Sequence, residues 1–191
     1  MRGSVVLLAI AALAGCSADD VVVADVTPPA ASIGPPGPGG PACRDQPDCA
    51  PNAFCAKHGC GDPIGHCELR PLTCDEALAP SCGCDGVTYW SDCLRRQHGV
   101  PASTGGECTV GVPCGPGAPC PMGASCARLV FPDATCDPSA PGACWAVPSV
   151  CPPSSTPDRW TSCDGVVACR STCEAIAEEA PFRLAPPGSC P

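Results

Sequence analysis

The segment CGCDGVTYWSDC, residues 82–93, places three cysteines around an Asp-Gly turn. The whole chain has 21 cysteines among 191 residues, but only three Phe, three Trp and one Tyr. A cysteine content of about 11% is typical of disulfide scaffolds, and so few aromatic residues cannot build a conventional core. The fold must therefore depend on the cysteines, as metal ligands, redox pairs or disulfide bonds.

The N-terminus indicates the compartment. VVLLAIAAL, residues 5–13, has the length of the apolar part of an export signal and is too short to span a bilayer. LAGC follows directly and resembles a bacterial lipoprotein signal, which implies a signal peptide of residues 1–15 and a lipid on Cys16. An ordinary signal peptide cleaved nearby is the alternative. Ser17, rather than Asp, favours the outer membrane, so we expect export and lipid anchoring to the cell envelope.

Residues 16–42 contain no cysteine after Cys16 and end in PPAASIGPPGPGGPA. Pro and Gly without a period of three are typical of a disordered spacer, not of collagen. The net charge of −9 argues against nucleic acid and against a polybasic membrane patch. We expect the membrane to be reached through the lipid alone.

The other twenty cysteines form two groups of ten, and the pattern repeats. Both groups open with two gaps of five residues, have six residues between their fifth and sixth members, and contain CDGV. The simplest interpretation is two independent modules, residues 43–108 and 114–191, joined by TVGVP. The first comprises cysteines 43, 49, 55, 60, 67, 74, 82, 84, 93 and 108; the second, 114, 120, 126, 136, 144, 151, 163, 169, 173 and 190.

Each module is predicted to contain one short β-hairpin, one short α-helix and much loop. CDGVTY predicts a tight hairpin, because Asp-Gly suits a turn that needs positive φ. SDCLRRQHG predicts a helix that Ser91 caps and that ends at Gly99. STCEAIAEEA predicts a helix with a Ser171–Glu174 capping box, which Pro181 stops.

The spacing argues against metal and redox chemistry. The chain contains no CxxC, which zinc sites and thioredoxin-like sites favour. His58, His66 and His98 have no nucleophile context, so we expect surface histidines, no metal and no cofactor. Disulfide bonds are the expected state of cysteines outside the cytoplasm, and removal of Cys16 leaves an even number. Spacing alone does not choose the pairing.

The opening segment resembles the signature of Kazal-type serine protease inhibitor domains. Cys82 and Cys93 have the signature spacing, with the Asp-Gly and Thr-Tyr pairs between them. Cys74 and Cys108 match the flanking family cysteines, so the resemblance covers residues 67–108. The four cysteines upstream give the first module a layout similar to follistatin-like modules. The second module is degenerate, with Thr161 in the place of Cys82, and is Kazal-like by repeat only.

The resemblance implies a disulfide pairing of Cys74–Cys93 and Cys82–Cys108. The family cysteine on the helix is missing here, and Cys84 replaces a small residue before Asp-Gly. We therefore infer that Cys84 takes the place of the helix cysteine and bonds Cys67. The four upstream cysteines would then form two bonds among themselves.

The resemblance also implies a reactive-site loop of Asp75, Glu76, Ala77 and Leu78. Glu76 would occupy the primary specificity position and Ala77 would follow the scissile bond. A glutamate there suits neither trypsin-like nor chymotrypsin-like pockets, which leaves a glutamate-preferring protease. Ser91 replaces the Asn that often braces this loop. Pro153 stands at the specificity position of the second module, where it is incompatible with productive geometry.

Two functions follow as expectations. The first is inhibition of an extracellular or periplasmic serine protease through the loop after Cys74. The alternative is a non-inhibitory, disulfide-stapled module at the cell envelope that binds another protein. Three tryptophans, Trp90, Trp145 and Trp160, are either binding anchors or core residues. The chain lacks a nucleophile motif such as GxSxG, so we do not expect an enzyme.

Overall fold

The computed structural model describes residues 39–121, 123–131, 134–153, 160–163, 169–186 and 188–189. The predicted signal peptide, Cys16 and the spacer before residue 39 lie outside the described residues, as does Cys190. Within the described ranges, no helix is long and apolar enough to cross a membrane.

The described residues form short strands and two short helices joined by long loops. This confirms a small, disulfide-rich, loop-rich fold. The helices are α1 (Asp92–His98) and α2 (Thr172–Ala177), and a 3-10 helix covers Gln46–Asp48. The strands are β1 (Ala42–Cys43), β2 (Ala53–Ala56), β3 (Gly65–Leu69), β4 (Ser81–Gly83), β5 (Thr88–Tyr89), β6 (Ala102–Gly105), β7 (Pro113–Cys114), β8 (Ser125–Ala127), β9 (Gly142–Ala146), β10 (Trp160–Ser162) and β11 (Phe182–Leu184).

The predicted hairpin and first helix are confirmed. Strands β4 and β5 pair antiparallel across the Asp-Gly turn, and Gly86 has φ of 77° there. The Ser91 hydroxyl accepts a hydrogen bond from the Leu94 N–H at the start of α1. Gly99 ends the helix in the left-handed region, with φ of 74°. These features depend on neighbouring residues, which explains why the sequence predicts them.

The second helix is shorter than predicted. Ser171 and Glu174 form the expected capping box, but α2 ends at Ala177, well before Pro181. Glu179 has φ of 56°, in the position that Gly99 occupies after α1. Both modules thus have a positive φ at this position, although only the first has a glycine there.

The internal repeat extends to strand register. In the first module, Cys43 lies opposite Gly65, and Cys55 lies opposite Cys67. In the second module, Cys114 lies opposite Gly142, and Cys126 lies opposite Cys144. Strands β7, β8 and β9 therefore repeat the arrangement of β1, β2 and β3, residue for residue.

The two modules contact each other directly. Strand β5 pairs in parallel with β9, so the sheet order is β6-β4-β5-β9-β7. The backbone N–H of Trp90 donates to the Ala146 carbonyl at 2.9 Å. The backbone N–H of Val112, in the linker, donates to the Gly86 carbonyl at 3.0 Å. The modules are therefore not independent in space, contrary to the simplest interpretation of the repeat.

The core is small and contains many cysteines. One buried cluster combines Val87, Tyr89, Trp90 and Leu94 with four bonded cysteines and Ala146. The cluster thus draws residues from both modules. A second cluster joins Trp145, Ala175, Ile176 and Phe182. The covalent bonds supplement the limited apolar burial, as expected for a scaffold with so few large side chains.

Candidate functional site

Nine disulfide bonds join the described cysteines. They are Cys43–Cys55, Cys49–Cys67, Cys60–Cys84, Cys74–Cys93, Cys82–Cys108, Cys114–Cys126, Cys120–Cys144, Cys136–Cys163 and Cys151–Cys173. Cys169 is also disulfide-bonded. Both bonds that the Kazal resemblance implies, Cys74–Cys93 and Cys82–Cys108, are among them.

The predicted Cys67–Cys84 bond is wrong. Cys67 lies in the middle of β3 and bonds Cys49, whereas Cys84 bonds Cys60. Cys60 lies in the β2–β3 loop, and the sulfur atoms of Cys60 and Cys84 both approach the Ala102 carbonyl oxygen, at 4.0 and 3.3 Å. The hairpin loop therefore reaches Cys84, and the four upstream cysteines do not pair only among themselves.

The second module repeats this bonding pattern. Its first and third cysteines are bonded at the same separation of 12 as Cys43–Cys55. Its CDGV cysteine, Cys163, bonds the fourth cysteine of the group, as Cys84 does in the first module. Its helix cysteine, Cys173, bonds the sixth, as Cys93 does. The repeat is therefore one of covalent topology as well as spacing.

The predicted reactive-site residues form one exposed loop. Every residue from Asp75 to Ala79 is exposed, and we call this segment loop 75–79. The Cys74–Cys93 bond holds its start against α1. At its end, the Ala79 N–H donates to the Trp90 carbonyl at 3.0 Å. The loop is thus presented to solvent and restrained at both ends.

The carbonyl of the predicted reactive bond is already hydrogen-bonded. The indole N–H of Trp90 donates to the Glu76 carbonyl oxygen at 3.0 Å. Trp90 is only 3% exposed, so the donor is fixed within the core. A substrate-like inhibitor must offer this oxygen to the oxyanion hole of the protease. Here the oxygen is directed toward the scaffold.

The sequence predicted neither the hydrogen bond from Trp90 to Glu76 nor the cleft that loop 75–79 forms with the second module. Residues 148–150 of the second module line a cleft of about 230 Å³ together with Asp75, Glu76 and Trp90. No local signal predicts this neighbour, because it results from the β5–β9 pairing. Ser91, which stands in the place of the bracing Asn of the family, caps α1 through its hydroxyl, as the sequence predicts.

The tryptophans contribute mainly to the core. Trp90 and Trp145 are 3% and 8% exposed, so they are not surface anchors for a partner. Trp160 is partly buried, packs edge-on against Phe182, and donates its indole N–H to the Thr172 hydroxyl at 2.9 Å. The core interpretation, which the sequence left open, fits all three.

The corresponding loop of the second module starts from the same covalent anchor. The Cys151–Cys173 bond attaches it to α2. Pro153, at the predicted specificity position, is exposed. The next six residues lie outside the described ranges, so the candidate site is limited to loop 75–79.

Two groups of cysteine sulfur atoms lie close together. Those of Cys43, Cys49 and Cys67 lie within 4.8 Å of one another, as do those of a second trio, Cys114, Cys120 and Cys126. All six cysteines are consumed in disulfide bonds. Metal ligation requires a thiolate, so the oxidised protein offers no such ligand at either group.

A partly buried hydrogen-bond network supports the β4–β5 hairpin. The Tyr89 hydroxyl donates to the Asp85 carboxylate at 2.6 Å, and the Val87 N–H donates to the other oxygen at 3.1 Å. Burial, together with the hydrogen bond to Asp85, raises the pKa of Tyr89 above its usual range. The neutral phenol is therefore the form that the fold favours.

This network leads to a spectroscopic prediction. Because the chain has one tyrosine, a rapid jump to about pH 11 should give no phenolate absorbance in the folded protein, although free tyrosine is ionised there. The raised pKa means that Tyr89 contributes stability below about pH 10, and this contribution is lost as the pH rises. Denaturant at the same pH should release the absorbance. Ionisation of Tyr89 in the folded chain at the pH of free tyrosine would contradict the network. Asp85→Asn, which lacks the carboxylate that accepts the hydrogen bond, serves as the control.

Comparisons with known proteins assign the chain to no family. Neither a family model nor a curated protein sequence matches the chain. The Kazal resemblance therefore rests on the signature residues themselves.

Proposed function

We propose that this protein is a non-enzymatic binding protein whose Kazal-like scaffold presents loop 75–79 to another protein without inhibiting proteases. The observation that carries this proposal is the hydrogen bond from the Trp90 indole to the Glu76 carbonyl. A loop restrained at both ends has little conformational entropy to lose on binding, which suits recognition. The engaged carbonyl disfavours the substrate-like mode of binding.

The chemistry of loop 75–79 suits a partner with a basic or apolar surface. Asp75 and Glu76 are exposed acids, and Leu78 is 47% exposed. A glutamate at the primary position is unfavourable for common serine proteases, because their specificity pockets are acidic or apolar. The acidic side chain of Glu76 and the hydrogen bond to its backbone carbonyl thus each disfavour protease inhibition.

We also propose that the protein is exported. The high disulfide content suits an oxidising compartment. The LAGC motif supports lipid attachment at Cys16, and the Pro/Gly spacer would hold the modules away from the membrane, with the outer membrane as the proposed location. No cofactor is proposed.

Inhibition of a serine protease is the second candidate function. The continuous exposure of loop 75–79 and the Cys74–Cys93 bond at its start favour it, because inhibitory loops are rigid and accessible. In this case Glu76–Ala77 would be the reactive bond, and the target would prefer glutamate.

An inhibition assay separates the two functions. Oxidised chain starting at Ser17 would be titrated against trypsin and a glutamate-specific serine protease. We expect neither enzyme to be inhibited at equimolar protein, and Glu76→Lys alone to leave trypsin active, because the Trp90 indole still holds the carbonyl. Tight stoichiometric inhibition by the wild type, or of trypsin by Glu76→Lys, would contradict the proposal.

Trp90→Phe in the Glu76→Lys background is the matched variant. It removes the indole N–H but keeps an aromatic ring in the core. Trypsin inhibition by this double variant alone would show that the hydrogen bond is what prevents substrate-like binding.

A further inference from the structure

A second cleft lies within the first module, away from loop 75–79. It has a volume of about 190 Å³ and separates the β2–β3 hairpin from the part of the module that carries α1. Lys57, His58 and His66 line one side, and Arg95 and Ala102 line the other. No local sequence pattern predicts that Arg95 of α1 faces Lys57 and the two histidines, which belong to the β2–β3 hairpin.

The cleft holds an unpaired positive charge, that of Lys57, in an acidic protein. Lys57 is the only lysine in a chain of net charge −9, and His58 and His66 are two of its three histidines. Within the described ranges, none of these three side chains pairs with a carboxylate. Glu68, which also lines the cleft, forms an ion pair with Arg96. The remaining unpaired charge is therefore positive.

The walls of the cleft are held rigidly. The Cys60–Cys84 bond joins the β2–β3 loop to the hairpin turn of the other half, beside Ala102. Arg95 is only 6% exposed and is fixed by the Asp92 carboxylate and the Val100 carbonyl. A rigid cleft does not have to order its walls before it binds a ligand.

We propose that this cleft binds a doubly charged oxyanion, sulfate or phosphate, either free or as the ester group of a small molecule. The ring centroids of His58 and His66 are 6.4 Å apart, a separation at which one oxyanion can accept hydrogen bonds from both imidazoles. The Lys57 ammonium adds a third, charge-assisted donor. This site is independent of loop 75–79 and of any partner bound there.

The charged groups around the two imidazoles are Lys57, Glu68, Arg95 and Arg96, from β3, α1 and the loop after β2. Glu68 and Arg96 pair with each other, and Arg95 pairs with Asp92, so the Lys57 ammonium is the unpaired charge that an anion would meet. Sulfate is the probe of choice because it is doubly charged at about pH 7.

The test follows the histidine ring signals by NMR during a titration of the oxidised chain with sodium sulfate at about pH 7. Sodium chloride at equal ionic strength is the blank. We expect saturable shifts of the His58 and His66 ring signals. His98 is the internal control, because its ring packs on Tyr89 elsewhere in the module. Equal movement of all three histidines, or no saturation beyond the chloride blank, would overturn the proposal.

Two variants and a second ligand complete the test. Lys57→Gln and His66→Gln should each weaken sulfate binding about tenfold, because each removes a charged or strong donor. An unchanged His98 signal would show that the variants fold, and undiminished sulfate affinity in both would overturn the proposal. Glucose 6-sulfate distinguishes the source: tighter binding than inorganic sulfate indicates an ester ligand, and weaker binding indicates the free ion.

Discussion

Replacement of Cys60 and Cys84 by alanine together is expected to lower the free energy of unfolding by about 3.5 kcal/mol. The bond spans a sequence separation of 24, and its loss frees the β2–β3 loop from the hairpin turn. Loss of the bond mainly raises the conformational entropy of the unfolded chain. The effect should be measured by denaturant titration under non-reducing conditions, which keep the other bonds intact. The size depends on the length of the closed loop more than on buried contacts.

A thiol count makes this prediction sharper. With the observed pairing, the Cys60→Ala/Cys84→Ala variant gains no free thiol relative to the wild type, because both cysteines of one bond are removed. The Cys67→Ala/Cys84→Ala variant should instead expose two thiols, from Cys49 and Cys60. The opposite result, a gain of two thiols in the first variant and of none in the second, would restore the Cys67–Cys84 pairing inferred from the sequence.

Ile176→Arg is expected to destabilise the protein by about 4 kcal/mol or more. Ile176 is 2% exposed and packs in a cluster with Trp145 and Phe182. An arginine there would bury a charge among apolar side chains with no carboxylate in that cluster to pair with it. Loss of the cooperative unfolding transition, or a large fall in its midpoint, would be measured by tryptophan fluorescence.

The repeat supplies the matched control for Ile176→Arg. Arg96 occupies the equivalent position in α1, five residues after the cap Ser91, as Ile176 is five after Ser171. Its partner Glu68 is equivalent to Trp145, so an ion pair in the first module replaces an apolar contact in the second.

Arg96→Ile should therefore cost about 1 kcal/mol or less, since Arg96 and Glu68 are both about one-third exposed and water can solvate the remaining carboxylate. Equal costs for the two variants would contradict this view of the repeat.

Features that depend on adjacent residues were predictable. The Asp-Gly hairpin, the Ser91 and Ser171 caps and the exit at Gly99 each follow from the conformational preferences of a few neighbours. The number and spacing of the cysteines likewise indicated a disulfide scaffold with an internal repeat. The exposure of loop 75–79 agrees with the reactive-site position that the Kazal resemblance implies.

Features that depend on contacts between distant segments were decided by the tertiary structure. The partner of Cys84 was one of them, because the β2–β3 loop had to fold back before Cys60 could reach it. The Trp90 hydrogen bond to Glu76 was another, since an indole in one segment meets a backbone carbonyl fourteen residues away. The sequence alone thus determined the kind of scaffold, because cysteine spacing and turn residues act locally. The pairing of its bonds, the contact between modules and the direction of the Glu76 carbonyl required the folded chain, because each depends on which distant surfaces pack together.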